Sequence, residues 1–240
     1  MAAAVVVALV VSADVAAADL VNGGIAGALN VVALGLLYLG LATGHMGVVA
    51  PITAVVAAII PVTYGLVQGE RPSVLVYAGI VAAVFAGALI GVTRDEHATE
   101  GSSRALLIAL CAGITFGSSF IFYAKTSPDS GMWPILTARI AALALVAVFV
   151  IARRNRQNIV FPTGPDRMIS FGAGLLDVTG STLILVAIRQ DLIVTVTPVA
   201  ALAPAVTVLW AWLLLHERIG RIQLAGLLVA LTGLVLIAAG

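Results

Sequence analysis

The stretch GHMGVVAPITAVVAAIIPVTYGLVQGERPS (residues 44–73) returns, much altered, within VTPVAALAPAVTVLWAWLLLHERIGRIQLAG (residues 196–226). An offset of 147 residues places Pro51 on Pro198 and Glu70-Arg71 on Glu217-Arg218. The match extends outward without a gap, so that residues 24–93 align with 171–240 and 17 of the 70 positions are identical. A composition this biased gives roughly a tenth by chance, and self-similarity at a fixed offset is the mark of a duplicated unit. The polar and glycine matches weigh most: Gly27 on Gly174, Gly79 on Gly226, and Asn30 opposite Asp177.

Around this repeat the chain is too apolar for a water-exposed surface. Of 240 residues 62% are hydrophobic and 10% charged, against about 25% charged in a soluble domain. Mean hydropathy is +1.17. The charges cluster between apolar runs, each near the ~20 residues that carry a helix across ~30 Å of hydrocarbon. A membrane barrel would show ~10-residue alternating segments instead, and none occur. Eight full transmembrane helices are predicted, at about 24–42, 46–66, 74–93, 105–124, 131–152, 168–188, 192–215 and 221–239. Residues 2–13 (AAAVVVALVVSA) are too short to span and lack the basic flank of a signal peptide, because the first Lys or Arg is Arg71. They are read as an N-terminal partial helix.

Five helices separate the two copies, and five is odd, so the second copy crosses the membrane in the opposite sense. The predicted fold is an all-α integral membrane protein built on an inverted five-helix repeat, with residues 1–94 an incomplete first copy and 104–240 a complete second one. About 44 residues, one helix and most of another, are expected upstream, with a misassigned start preferred to a truncated variant. Inverted repeats are how many secondary transporters build alternating access around a site near the membrane midplane. The connections after residues 93, 152 and 215 carry eight arginines, and the opposite side carries only Arg71, Lys125 and Arg189. That bias puts the 153–167 connection in the cytoplasm and the C-terminus outside.

Four stretches together resemble the EamA-like family of the drug/metabolite transporter superfamily. The two opening stretches look like its fourth and ninth helices, each closing on the family's Glu-Arg step. MWPILTARIAAL (132–143) and GAGLLDVTGSTLILVAI (172–188) resemble the seventh and eighth. The similarity covers about residues 20–240. It implies ten helices in two five-helix units, cytoplasmic termini, and a central cavity to which a first helix not in this sequence contributes. It also implies a transporter of small metabolites or drugs in the plasma membrane.

Asp177 stands near the middle of a span, where a charge costs about 2.5–3.5 kcal/mol on insertion scales and normally marks function. Its mate Asn30 lies at matching depth in the first copy. Both are candidate substrate or proton ligands; the bland alternative is an interhelical hydrogen bond of ~0.6 kcal/mol. Arg139 is a candidate for a salt bridge to Asp177, for capture of an anionic group, or for a purely structural contact. Phe116, Ser119 and Phe120 are expected to line a cavity if their helix faces inward, as the resemblance implies. Pro51, Pro198 and Pro204 interrupt spans and are read as hinges that bare carbonyls toward a cavity, or as ordinary kinks. Glu70 and Glu217 are gate candidates, with local pairing to the adjacent arginines the commoner role. Tyr123 and Trp133, near span ends, read as interfacial anchors.

The small residues Gly79, Ala83, Gly87 and Gly91, echoed by Gly226 and Ala230, form a close-packing face inside the monomer or at a homodimer contact. Cys111 is the only cysteine, so an internal disulfide and a thiolate metal site are excluded. The three histidines, His45, His97 and His216, are scattered; no HExxH, Gly-x-Ser-x-Gly or phosphate-binding loop is present. The expected partners are a small-molecule substrate and the lipid bilayer, with no nucleic acid, no cofactor and no metal. The function classes are therefore a secondary-active efflux transporter working by alternating access, or a truncated, non-transporting or assembly protein.

Overall fold

The computed structural model describes residues 14–42, 46–91, 102–153, 164–203, 213 and 221–240. Among these the regular elements are all helical. They are α1 (Ala17–Leu41), α2 (Met46–Val67), α3 (Val74–Gly91), α4 (Ser102–Ala124), a 3-10 turn (Pro128–Ser130), α5 (Trp133–Arg153), α6 (Pro165–Gln190), α7 (Ile193–Ala200) and α8 (Arg221–Ala239). Four, at 17–41, 103–124, 133–153 and 166–190, are long and apolar enough to cross a membrane; shorter apolar helices occupy 52–67, 74–87 and 224–237. Of the span predicted at 192–215, the described residues are 192–203, which include α7, and 213. The partial helix read at 2–13 lies outside the described residues.

Helix α1 starts seven residues before the predicted position. Hydropathy loses the helix at Asp19 and Asn22, yet Asp19 is buried and its carboxylate accepts the Ser127 N–H at 2.8 Å. A partnered acid in the first turn suits the positive end of the helix dipole, so the polar start is helical.

Ala17 of α1 and Pro165 of α6 lie 148 residues apart, one more than the offset of the sequence repeat.

The chain divides into two compact units that do not follow its sequence halves. One takes residues 1–31 and 122–190, the other 32–121 and 191–240. In the first unit, a Cβ on Gly23 would lie 2.5 Å from Pro134, and one on Gly27 would collide with the Ala138 backbone. The contact numbers rise together, so α1 and α5 run parallel. Helix α6 runs antiparallel to α5, with Asp177 beside Arg139 and Arg189 beside Gly131. Helices α1 and α6, the first pair of repeat mates, therefore point in opposite directions.

In the second unit α3 and α8 are antiparallel at close range. A Cβ on Gly79 would lie 2.8 Å from the Gly233 carbonyl, and one on Gly233 would lie 3.1 Å from the Ala83 nitrogen. Ala83, Ala86 and Ala230 are buried in this seam with Leu202. Lipid tails are as apolar as leucine, so helices in a membrane adhere by close packing, which small residues permit. The Gly79–Ala83 part of the small-residue face is thus occupied within the chain. Helices α2 and α4 run parallel through Gly113 and Gly117, and the Thr53 hydroxyl donates to the Ala109 carbonyl at 3.2 Å. Val49, Ala105 and Ala109 are buried beside Leu37, Leu41 and Ile52.

Candidate functional site

Asp177 lies twelve residues into the 26-residue α6, about 18 Å along a helix that rises 1.5 Å per residue. Arg139 lies six residues into α5, about 9 Å along by the same rise, and its long stem carries the guanidinium deeper. The two form an ion pair through Arg139 Nη1 and Asp177 Oδ2. Arg139 Nη2 also donates to the Asp177 carbonyl at 3.1 Å and to Ser181 Oγ at 2.6 Å. The Ser181 hydroxyl in turn donates to the Asp177 carbonyl at 2.9 Å. Ser181 stands one turn beyond Asp177, which puts both on one face of α6.

The pair is asymmetric. The Arg139 side chain is 17% exposed and that of Asp177 is 52% exposed. Arg139 Nε is buried and finds no partner among the described residues. Gly174 and Gly180 flank Asp177 by three residues on either side, and a Cβ at either would meet nothing within 4 Å. The guanidinium is therefore held from behind, and the carboxylate presents an uncrowded face.

Tyr123, at the C-terminal end of α4, belongs to this neighbourhood. It is buried and within electrostatic reach of both Arg139 and Asp177. The reading of Tyr123 as an interfacial anchor is corrected. Position near a span end says nothing of which face a residue occupies, and this one faces protein. Ser181, too, carried no sequence signal beyond its spacing from Asp177.

Asn30 is half-buried on α1 in the same unit, and its side chain makes no hydrogen bond among the described residues. It follows by three residues the Gly27 that abuts Ala138, the neighbour of Arg139. Phe116, Ser119 and Phe120 belong to the other unit. Ser119 is fully buried and donates to the Phe116 carbonyl at 2.6 Å, while both phenylalanines are half-buried. Helix α2 continues through Pro51. Pro198 is buried inside α7, which ends two residues later. Pro204 and Glu217 lie outside the described residues.

Glu70 does not pair with Arg71. Its Oε1 accepts the Ile193 N–H at 3.2 Å and its Oε2 the Val194 N–H at 3.0 Å. Arg71 donates instead to the carbonyls of Leu66 and Glu70, at 3.1 and 3.0 Å. The physical reason is that helix ends leave unpaired backbone groups and opposite partial charges, so the acid takes the N–H groups of α7 and the base the carbonyls at the end of α2. Gly65 leaves room for this, since a Cβ there would lie 2.6 Å from Glu70 Oε2.

A second polar cluster in the first unit was not anticipated. Arg189, in the last turn of α6, donates to the Gly131 carbonyl at 2.6 Å, Ser130 Oγ at 2.9 Å and Thr126 Oγ1 at 3.1 Å. Asp19 holds the same turn through Ser127. Asp19 Oδ2 and Arg189 Nε are buried without hydrogen-bond partners among the described residues. Counted only for loop charge, Arg189 gave no hint of this role.

A model of the EamA-like transporter family matches residues 103–239, a segment that includes Tyr123, Arg139, Asp177 and Ser181. No curated protein matches the chain.

Proposed function

Since the chain belongs to the EamA-like transporter family, we propose that it carries a small metabolite or drug-like molecule out of the cell across the plasma membrane by secondary-active alternating access. The observation that carries this reading is the Arg139–Asp177 pair, whose carboxylate is half exposed and midway along a helix long enough to span. Hydrocarbon does not tolerate such a group, so it faces water, protein or a ligand. Alternating access requires two structurally related elements that rock about a common site. The 147-residue repeat in the sequence, and the opposed directions of α1 and α6 and of α3 and α8, support an inverted repeat of that kind.

In this reading Asp177 is the substrate or proton ligand and Arg139 its exchangeable counter-charge, with Asn30 the repeat-related polar group. Pro51 and Pro198 are hinges of the mated helices α2 and α7. The test is gradient-driven flux in proteoliposomes with Asp177→Asn, which is isosteric. Flux is expected to be lost while folded yield is kept. Undiminished flux would remove Asp177 from the mechanism.

A further inference from the structure

We propose that Asp177 takes a ligand bearing a protonated amine with N–H donors, in exchange for Arg139, which Ser181 and the Asp177 carbonyl retain while the carboxylate is occupied. The inference rests on the transporter reading and adds to it the charge class of the substrate.

The geometry distinguishes cation from anion. An anion is held best by two guanidinium donors, but one Nη1 N–H goes to Asp177 Oδ2 and both Nη2 N–H groups go to the Asp177 carbonyl and Ser181. Of the two donors left, Nε is buried out of reach, so a single Nη1 N–H remains. Two-point capture of an anion would have to evict the carboxylate, leaving Asp177 as an unpaired charge midway along a membrane helix. A cation meets no such obstacle. The carboxylate is the exposed member of the pair, and no side chain crowds Gly174 or Gly180 beside it. An ammonium offers N–H donors to a carboxylate in charge-assisted bonds, the stronger kind. Arg139 need not be stranded when the carboxylate changes partner. Its bonds to Ser181 Oγ at 2.6 Å and to the Asp177 carbonyl at 3.1 Å do not involve the carboxylate. Ser181 is accordingly a positioning residue, and Arg139 competes with the ligand rather than binding it.

Competition gives a result that a structural salt bridge does not. The purified full chain in phosphatidylcholine nanodiscs, whose headgroup has no N–H donor, is titrated with benzylammonium, phenethylammonium and N-methylphenethylammonium. Matched arylalkyl carboxylates are titrated in parallel. The amines are expected to bind and the carboxylates not. Asp177→Asn weakens amine binding by at least about tenfold, and Arg139→Gln, which removes the competitor, tightens it by about tenfold. Ser181→Ala weakens it by about threefold, the effect of one modest hydrogen bond. Should Arg139→Gln not fold, the isosteric Asp177→Asn and the single-hydroxyl Ser181→Ala decide.

Binding of the carboxylates instead, no binding by any amine, or amine binding indifferent to Asp177→Asn overturns the inference. So does loss of amine binding in phosphatidylethanolamine nanodiscs, which would make the occupant a lipid headgroup. Flux separates the two readings. A chain that moves carboxylates but not amines refutes the amine site and leaves the transporter standing. A chain that binds amines at Asp177 but moves no solute refutes only the transporter.

Discussion

The carboxylate of Glu70 closes the N-terminus of α7 at Val194, 124 residues further along the chain, with Oε2 3.0 Å from the Val194 nitrogen. It ties the end of α2 to the start of its repeat mate. A helix start that sits in protein cannot satisfy its N–H groups with water, and here a remote side chain does so. Glu70 is thereby a structural clasp between the two helices that contain Pro51 and Pro198.

Glu70→Ala is expected to destabilise the chain by about 1 kcal/mol, the usual loss for a helix cap, and Glu70→Gln by less, because its amide keeps one acceptor oxygen. Unfolding midpoints in detergent check the order. Equal midpoints for the wild type and Glu70→Ala would mean that the cap contributes nothing.

Gly79 and Gly174 are both glycines on apolar helices, and their tolerance of a side chain should differ sharply. Gly79→Val forces α3 off the Gly233 carbonyl and is expected to destabilise by about 1–3 kcal/mol, as overpacking does. Gly174→Ala meets open space and should fall within about 0.5 kcal/mol of the wild type. The same unfolding assay reads both.

Arg189 binds three separate acceptors on the 126–131 turn, which a lysine's single ammonium cannot reproduce. Arg189→Lys should loosen that turn. In a Cys111→Ser background, Ser130→Cys is buried and labels slowly with a soluble maleimide. Adding Arg189→Lys should raise the labelling rate at least severalfold. An unchanged rate would mean that Arg189 does not hold the turn closed.

Connections 68–73 and 215–220 are repeat mates and should emerge on opposite sides of the membrane. Single cysteines at Gln68 and Ile219, probed with an impermeant thiol reagent in intact and in permeabilised cells, decide this. Labelling of both from one side would end the inverted-repeat reading. The charge bias adds that the 153–167 connection, represented by a cysteine at Asn155, reacts only after permeabilisation.

Membrane class and helical character were legible in the chain before any contact was known. Both are local properties, because apolar length follows from the thickness of the bilayer. Asp177 announced itself for the same reason, since a carboxylate inside an apolar run is expensive wherever the run packs. What that carboxylate meets was decided elsewhere. Arg139 is 38 residues from Asp177, and Glu70 is 123 and 124 from the two N–H groups it accepts. Nothing in a hydropathy pattern says which faces come together. Tyr123 was misread on that account, because an aromatic group at a helix end looks alike whether it meets water, headgroups or protein. Helix packing alone distinguishes them, through small residues that let backbones touch and so bring distant charges within hydrogen-bond reach.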